Sequence, residues 1–341
     1  MLKHTIAAAL TTVTALTLSA CGQTTDSEGT KDAAPKASAE CQDVKTSTDP
    51  VSLTDSYGRT VELDKPAERV AVLEWQQTEG LLALCVDPVA VADAKGYSTW
   101  VTSEELPSGT EDVGTRQEPN LEALFATNPD LVVVEAYTAE DEILKQLAKY
   151  DVPVLATKGA DAKDPIANMK STFELIAEAT GREERAEELM EEFDEKLEEG
   201  REAIAESDAA GTEFVYFDAY VDGANVSIRP FGQGALVAEI GEELGLENAW
   251  TGKVDPAYGL GQTDIEGMTK VGDATFFYTG TSDPANPDAD ADAELSRSKV
   301  WTSIPAVAED RTHAFPSGIW TFGGPSSASQ VVDAYVTLLT K

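Results

Sequence analysis

Asn120-Leu-Glu-Ala-Leu-Phe-Ala-Thr-Asn-Pro-Asp-Leu-Val-Val-Val134 holds a helix, a turn and a strand in one short stretch. Leu121 to Thr127 reads as the helix, and Leu131 to Val134 as a strand with no polar side chain on either face. A strand apolar on both faces needs cover on both, which is the condition of a parallel sheet between helix layers. The neighbouring sequence extends the unit in both directions. Upstream, Arg69 to Leu73 reads as a strand, Thr78 to Leu84 as a helix and Pro88 to Ala92 as a strand. Downstream, Ala139 to Tyr150 reads as a helix and Val152 to Ala156 as a strand. This alternation predicts an α/β fold with a mostly parallel sheet. A hairpin, Val51 to Leu53 and Thr60 to Leu63 around Ser56-Tyr57-Gly58-Arg59, precedes it.

The second half repeats the grammar. Glu213 to Phe217 and Thr275 to Thr279 read as strands, Gln233 to Leu244 as a helix, and Pro325 to Leu339 as the last helix. Residues 281–294, rich in Asp, Ala and Pro, read as a surface loop. Asp264-Ile-Glu-Gly-Met-Thr-Lys-Val-Gly-Asp-Ala-Thr-Phe-Phe-Tyr278 lies over the opening stretch, so Glu122 and Glu266 fall at matching places. Favourable interaction with the helix dipole accounts for an acid there as well as any function does. Between the halves, Met169, Phe173 and Ile176 mark one helical stripe, broken at Thr180-Gly181. Ala186, Met190, Phe193 and Leu197 continue it on a helix from about Arg182 to Glu206, roughly 37 Å long at the α-helical rise. Its position favours a strut. The expected domains are an N-terminal lobe over 51–163, a connecting helical segment over 164–206 and a C-terminal lobe over 207–341.

At the N-terminus, Lys3 and His4 precede an uncharged run from Thr5 to Leu18 that ends in Ser19-Ala20-Cys21. Residues 1–20 read as a secretory signal, and the small residues before Cys21 resemble the lipobox of bacterial lipoproteins, with Cys21 as the lipid-modified residue. Residues 21–50 read as a flexible, lipidated tether without hydrophobic period. The expected location is therefore the extracytoplasmic face of the cell membrane. Losing the signal removes one basic side chain, Lys3, and moves the formal charge from -37 to -38. With 62 Asp and Glu against 25 Lys and Arg, nucleic acid is excluded as a partner, because phosphates need a basic face. His313 is the one histidine left, so multi-histidine metal sites cannot be built. It reads as a structural residue on a short strand. No G-x-S-x-G elbow or P-loop occurs, and Gly259-Leu260-Gly261 lacks the third glycine of a dinucleotide loop. No catalytic residue and no cofactor are expected. Cys41 and Cys85 are read as a disulfide pair in an oxidising compartment. The alternative is two unrelated residues, with Cys85 a small buried hydrophobe.

Tyr57-Gly-Arg-Thr-Val-Glu-Leu-Asp-Lys-Pro-Ala-Glu-Arg-Val70, Val113-Gly-Thr-Arg-Gln-Glu-Pro-Asn-Leu-Glu122 and Asn128-Pro-Asp-Leu-Val-Val133 resemble the iron-siderophore substrate-binding lipoproteins of ABC importers. Leu73-Glu-Trp-Gln-Gln77 and Arg229-Pro-Phe-Gly-Gln-Gly234 resemble the actinobacterial branch. The resemblance runs from about Val51 to the C-terminus. It implies the class III periplasmic-binding-protein form: two α/β lobes, one long bridging helix, and a ligand between them. Ferric siderophores are bulky and mostly anionic, so aromatic walls and a few cations are expected. Arg116, in Val-Gly-Thr-Arg, matches the family's ligand-contacting arginine, and Arg229 lies in the opposite half. Trp320 is expected as an aromatic wall, with Trp75, Tyr97, Tyr220 and Tyr258 as further contacts or as packing. The resemblance also implies that Glu122 and Glu266 dock onto a permease dimer. A haem or cobalamin receptor of the same fold is the alternative, and a lipid-anchored hydrolase a remote one.

Overall fold

The computed structural model describes residue 41 and residues 43–223, 225–279 and 291–340. The signal, Cys21 and most of the tether lie outside the described residues, as do residues 281–290 of the expected loop. Its remainder belongs to a helix, Ala291–Arg297.

In the N-terminal lobe, β1 (Val51–Thr54) and β2 (Thr60–Leu63) form the expected antiparallel hairpin. Val51, Leu53, Val61 and Leu63 face inward, the alternation of a half-buried ribbon. The sheet behind it contains β3 (Val70–Val72), β4 (Ala90–Val91), β5 (Glu111–Asp112), β6 (Leu131–Glu135) and β7 (Val154–Thr157). They run parallel in the order β5-β4-β3-β6-β7. Alternate residues of one strand feed two cores. Leu131 and Val133 pack with Leu81 and Leu84, while Val132 and Val134 pack with Leu124 and Leu144 on the other face. The covering helices are α1 (Trp75–Ala83), α2 (Ala94–Trp100), α3 (Leu121–Ala126) and α4 (Glu142–Leu147).

Two helices bridge the lobes, α5 (Pro165–Thr180) and α6 (Glu183–Ala205). They meet at Gly181, whose φ of +66° is left-handed and whose added Cβ would press on Pro66. The 23 residues of α6 span about 34 Å. Ala186 enters the N-terminal core with Phe173 and Ile176 of α5, whereas Phe193, Leu197 and Ile204 enter the C-terminal core with Met169. Both helices are therefore rooted in both lobes.

The C-terminal lobe holds β8 (Glu213–Asp222), β9 (Asn225–Phe231), β10 (Glu247–Asn248), β11 (Thr275–Tyr278) and β12 (Thr312–Ala314). Its order is β10-β8-β11-β12, all parallel, with β9 antiparallel on β8. The helices are α7 (Leu236–Glu243), α8 (Ile265–Met268), α9 (Ala291–Arg297), α10 (Pro305–Ala308) and α11 (Pro325–Leu339). His313 sits on β12 as expected, its ring centroid 5.4 Å from that of Phe277.

The tether ends sooner than its composition predicts. Cys41 is bonded to Cys85, and the Arg182 guanidinium donates to the Val44 and Lys45 carbonyls and the Thr46 hydroxyl. Ser47 N donates to the Gly181 carbonyl at 2.9 Å. Residues 44–47 are thus held by hydrogen bonds to Arg182 and Gly181, which leave no hydrophobic pattern. Strand β8 also runs on to Asp222, past the expected Phe217, and pairs with β9, a strand the sequence reading does not name. Pro230 cannot donate to a ladder, which suits a strand at the edge.

Candidate functional site

The parallel strands of the N-terminal lobe end at one crevice, the usual place for ligand in such sheets. Strand β3 leads into Glu74, which caps α1 by accepting from the Trp75 backbone N. Beyond β5, Arg116 reaches back so that its Nη1 lies 2.5 Å from Glu74 Oε1. The guanidinium carbon stands 3.8 Å from the Trp75 ring centroid and 5.7 Å from that of Trp320. Trp75 meets Trp320 edge-on, with centroids 4.8 Å apart. Arg116, Trp75 and Trp320 are therefore brought together, with Trp320 contributed by the opposite lobe and Trp75 itself buried.

In that opposite lobe, Arg229 on β9 faces Asp218 on β8 across paired positions of the ladder. Its Nε donates to both carboxylate oxygens at 3.0 and 3.1 Å, and its Nη2 also reaches Oδ2. Asp218, Tyr220, Arg229, Trp320 and Phe322 line a cavity of about 320 Å³, within the range of small-molecule sites. Tyr220 is half-exposed. Burial pushes the Asp218 carboxyl above its ordinary value, against the pull of the Arg229 hydrogen bond and charge.

Tyr258 closes the cleft from the C-terminal lobe. Asp255 accepts from the backbone N of Ala257, Tyr258 and Leu260 at 2.9, 2.8 and 2.8 Å, which shapes the loop. Gly259 follows with φ +67° and passes so close to the chain at Ala235 that a Cβ would meet its backbone N at 2.4 Å. The hydroxyl of Tyr258 donates to Glu135 Oε1 at the end of β6. Burial raises the Glu135 carboxyl to about 7; the Glu74 charge adds to this, while the Tyr258 hydroxyl and Arg116 oppose it. Tyr137, 72% exposed, stands nearby with its ring centroid 6.4 Å from that of Tyr258.

Tyr97 is a correction. It is fully buried on α2 with Trp75, Leu82 and Val101, and its hydroxyl donates to the Glu104 carbonyl at 3.0 Å. It supports the floor beneath Trp75 and presents no surface to a ligand. Glu74, Glu135, Tyr137, Asp218 and Phe322 are cleft residues that motif reading passed over. Glu135 had a signal: a carboxyl directly after the apolar run Leu131 to Val134 marks where a buried strand leaves the core.

Behind the cleft the lobes are joined by polar contacts. Gln76 Nε2 donates to the Gly323 carbonyl at 3.2 Å, and Thr102 N to the Gly318 carbonyl at 2.9 Å. Glu79 of α1 is wholly buried and accepts from the N and Oγ of Ser327 at 2.7 and 2.8 Å. It therefore caps α11 of the other lobe, where Gly324 has no side chain to do so.

Glu122 and Glu266 lie away from these groups. Each is the second residue of its helix, after an N-cap whose side chain accepts a backbone hydrogen bond, Asn120 from Ala123 and Asp264 from Gly267. Both are exposed, and neither has an ion pair among the described residues. Each helix leads into a strand inside its sheet, β6 or β11.

Comparison with known proteins follows the same lines. A model of the family described as "Periplasmic binding protein" matches residues 70–317. The iron(3+)-hydroxamate-binding protein FhuD of Escherichia coli K12 is 27% identical over 265 residues, covering 77% of this chain and 84% of that protein. The probable siderophore-binding lipoprotein YfiY of Bacillus subtilis is 23% identical, covering 80% and 83%. The crystal structure of Fe3+-Desferal-bound FhuD from Vibrio cholerae superposes with a TM-score of 0.68 at 23% identity, covering 80% of this chain and 98% of that one. With two parallel-sheet lobes and the helices shared between them, this chain belongs to the periplasmic binding protein family, in its class III form.

Proposed function

We propose that this protein is a lipid-anchored receptor that captures a ferric siderophore between its lobes and delivers it to an ABC importer. The observation that carries the reading is the cleft itself. Trp320, Phe322 and Tyr258 supply apolar walls, with Trp75 buried behind Arg116 and Trp320, and an arginine from each lobe retains N–H donors beyond those it spends on its carboxylate. A bulky iron chelate with oxygen atoms on its surface suits such a lining. The names of the relatives, a hydroxamate-binding protein and a probable siderophore-binding lipoprotein, support the same class. Transport needs no bond to be made or broken, and no residue is assigned a catalytic role. The iron stays within its chelator as cargo.

Haem is the less favoured ligand: His313 packs against Phe277 in the C-terminal sheet, away from the cleft-lining residues, so an axial ligand would have to be a cleft tyrosine. We assign Arg116, Arg229, Trp75, Trp320, Tyr220 and Tyr258 to the ligand. Glu122 and Glu266 are assigned to the permease dimer, one contact per lobe, and Cys21 to the lipid. Calorimetric titration of the folded domain with ferric siderophores, haem and cobalamin tests the reading. Binding of at least one ferric siderophore is expected, and binding of haem or cobalamin alone would overturn it.

A further inference from the structure

We propose that the cleft selects ferric complexes of zero or positive net charge and turns polyanionic ones away, an inference that rests on the siderophore reading above. The charged groups of the cleft are few. Arg116 stands against Glu74 with 2.5 Å between Nη1 and Oε1, and Arg229 holds both oxygens of Asp218. Each guanidinium is thus already neutralised by a carboxylate from its own lobe. A third carboxyl, Glu135, faces Glu74, Arg116, Tyr137 and Tyr258 and has no cation of its own. Two positive charges against three acidic groups leave the cleft neutral when Glu135 holds a proton and negative when it does not.

Ligand chemistry divides along that line. Three hydroxamates, with one negative charge each, neutralise a ferric ion, and a free amine on the chelator makes the complex a cation. Three catecholates, with two charges each, leave a trianion. Among the described residues a trianion entering this cleft would find both arginines paired, and would have to separate one from its carboxylate, leaving that carboxylate without a partner. The faces of Trp320 and Phe322, which line the cavity, are electron-rich and favour a neutral or cationic guest. The whole chain acts in the same direction, because a formal charge of -37 repels polyanions before contact. The favoured class is therefore the tris-hydroxamate chelates. Glu74, Glu135 and Asp218 set the preference.

The test measures affinities of the folded domain for ferrioxamine B (a cation), ferrioxamine E (neutral) and ferric enterobactin (a trianion). The expected order is either ferrioxamine at least a hundredfold tighter than ferric enterobactin. Glu74→Gln and Asp218→Asn each leave an arginine unpaired, and each should move the affinity ratio at least tenfold toward the trianion. Glu135→Gln, which disturbs no ion pair, should move it the same way above pH 7 and serves if either of the others fails to fold. Tighter binding of ferric enterobactin by the wild type, or ratios unchanged in the variants that fold, overturns the charge selection and leaves the siderophore reading standing. Failure of all three complexes to bind, with binding of haem or cobalamin, removes both.

Discussion

Exchanging Glu79 for Gln isolates the energetics of the carboxyl buried between the lobes. Burial drives it up to about 7 from an ordinary 4.5, its hydrogen bonds from Ser327 and Gly324 oppose the rise, and the Glu104 charge adds to it. The folded protein therefore holds this proton more tightly than the unfolded chain. A carboxyl raised in this way contributes its full stability below about 4.5 and loses it as pH climbs through about 7. Between pH 5 and pH 8 that loss is about 2–3 kcal/mol. Glutamine keeps the shape and cannot titrate. Its amide oxygen accepts from Ser327 N, and its NH2 donates to the Ser327 hydroxyl, which can turn its own proton to Ser103 Oγ at 3.2 Å. Urea unfolding of the globule, followed by circular dichroism at both pH values, gives the difference between Glu79→Gln and wild type. Glu135 titrates in the same window but is common to both proteins and cancels. The difference should shift in favour of glutamine by about 2–3 kcal/mol on going from pH 5 to pH 8. Glu79→Ala, which leaves the Ser327 N–H unpaired at the start of α11, should lower stability by about 1–3 kcal/mol at pH 5. A glutamine difference that is flat with pH or moves the other way, or an alanine variant as stable as wild type at pH 5, refutes the reasoning.

Other expectations concern binding, docking and the disulfide. Arg116→Ala and Arg229→Ala each remove charged N–H donors to the oxygen atoms of the bound ferric complex and should each weaken it by about 1.5–3 kcal/mol in calorimetric titration; unchanged affinity in both would place the ligand elsewhere. Glu122→Ala and Glu266→Ala should leave affinity and unfolding within about 0.5 kcal/mol of wild type. Iron uptake by cells should nevertheless fall, most in the double variant, and normal uptake there would return both residues to ordinary exposed acids. Reducing Cys41–Cys85, which closes a span of 44 residues, should lower stability by about 2–4 kcal/mol. Thiol labelling of the denatured, unreduced protein should find neither cysteine free.

Much of this architecture is legible because parallel strands buried on both faces are written as unbroken apolar runs. Leu131 to Val134 and Thr275 to Tyr278 are such runs, and both are central strands. The stripe Ala186, Phe193 and Leu197 likewise announces a helix of the right length, but not that it changes cores along the way. What escaped was structure held by hydrogen bonds to distant chain. The contacts of Arg182 with Val44 to Thr46, and of Asp218 with Arg229, join residues whose types alone say only that they are polar. Arg116 and Arg229 could be picked as cleft residues from the resemblance, although Arg229 lies on a strand and not in a loop. Their pairing with Glu74 and Asp218 could not, because it depends on which carboxyls the fold places opposite. Tyr97 shows the converse: an aromatic after a strand can face the core as readily as the crevice.

The contact between Trp75 and Trp320 gives the molecule a built-in optical gauge. The two indoles come from different lobes, with ring centroids 4.8 Å apart and planes at 67°. Transitions that close exchange excitation, so the pair contributes a coupled dichroic band whose sign and size follow the angle between the rings. A paramagnetic iron complex lodged beside the same rings drains their emission. Fluorescence therefore reports whether the cleft is filled, and dichroism reports how far the lobes have turned. Occupancy and geometry can be followed separately, in real time, without attaching a dye.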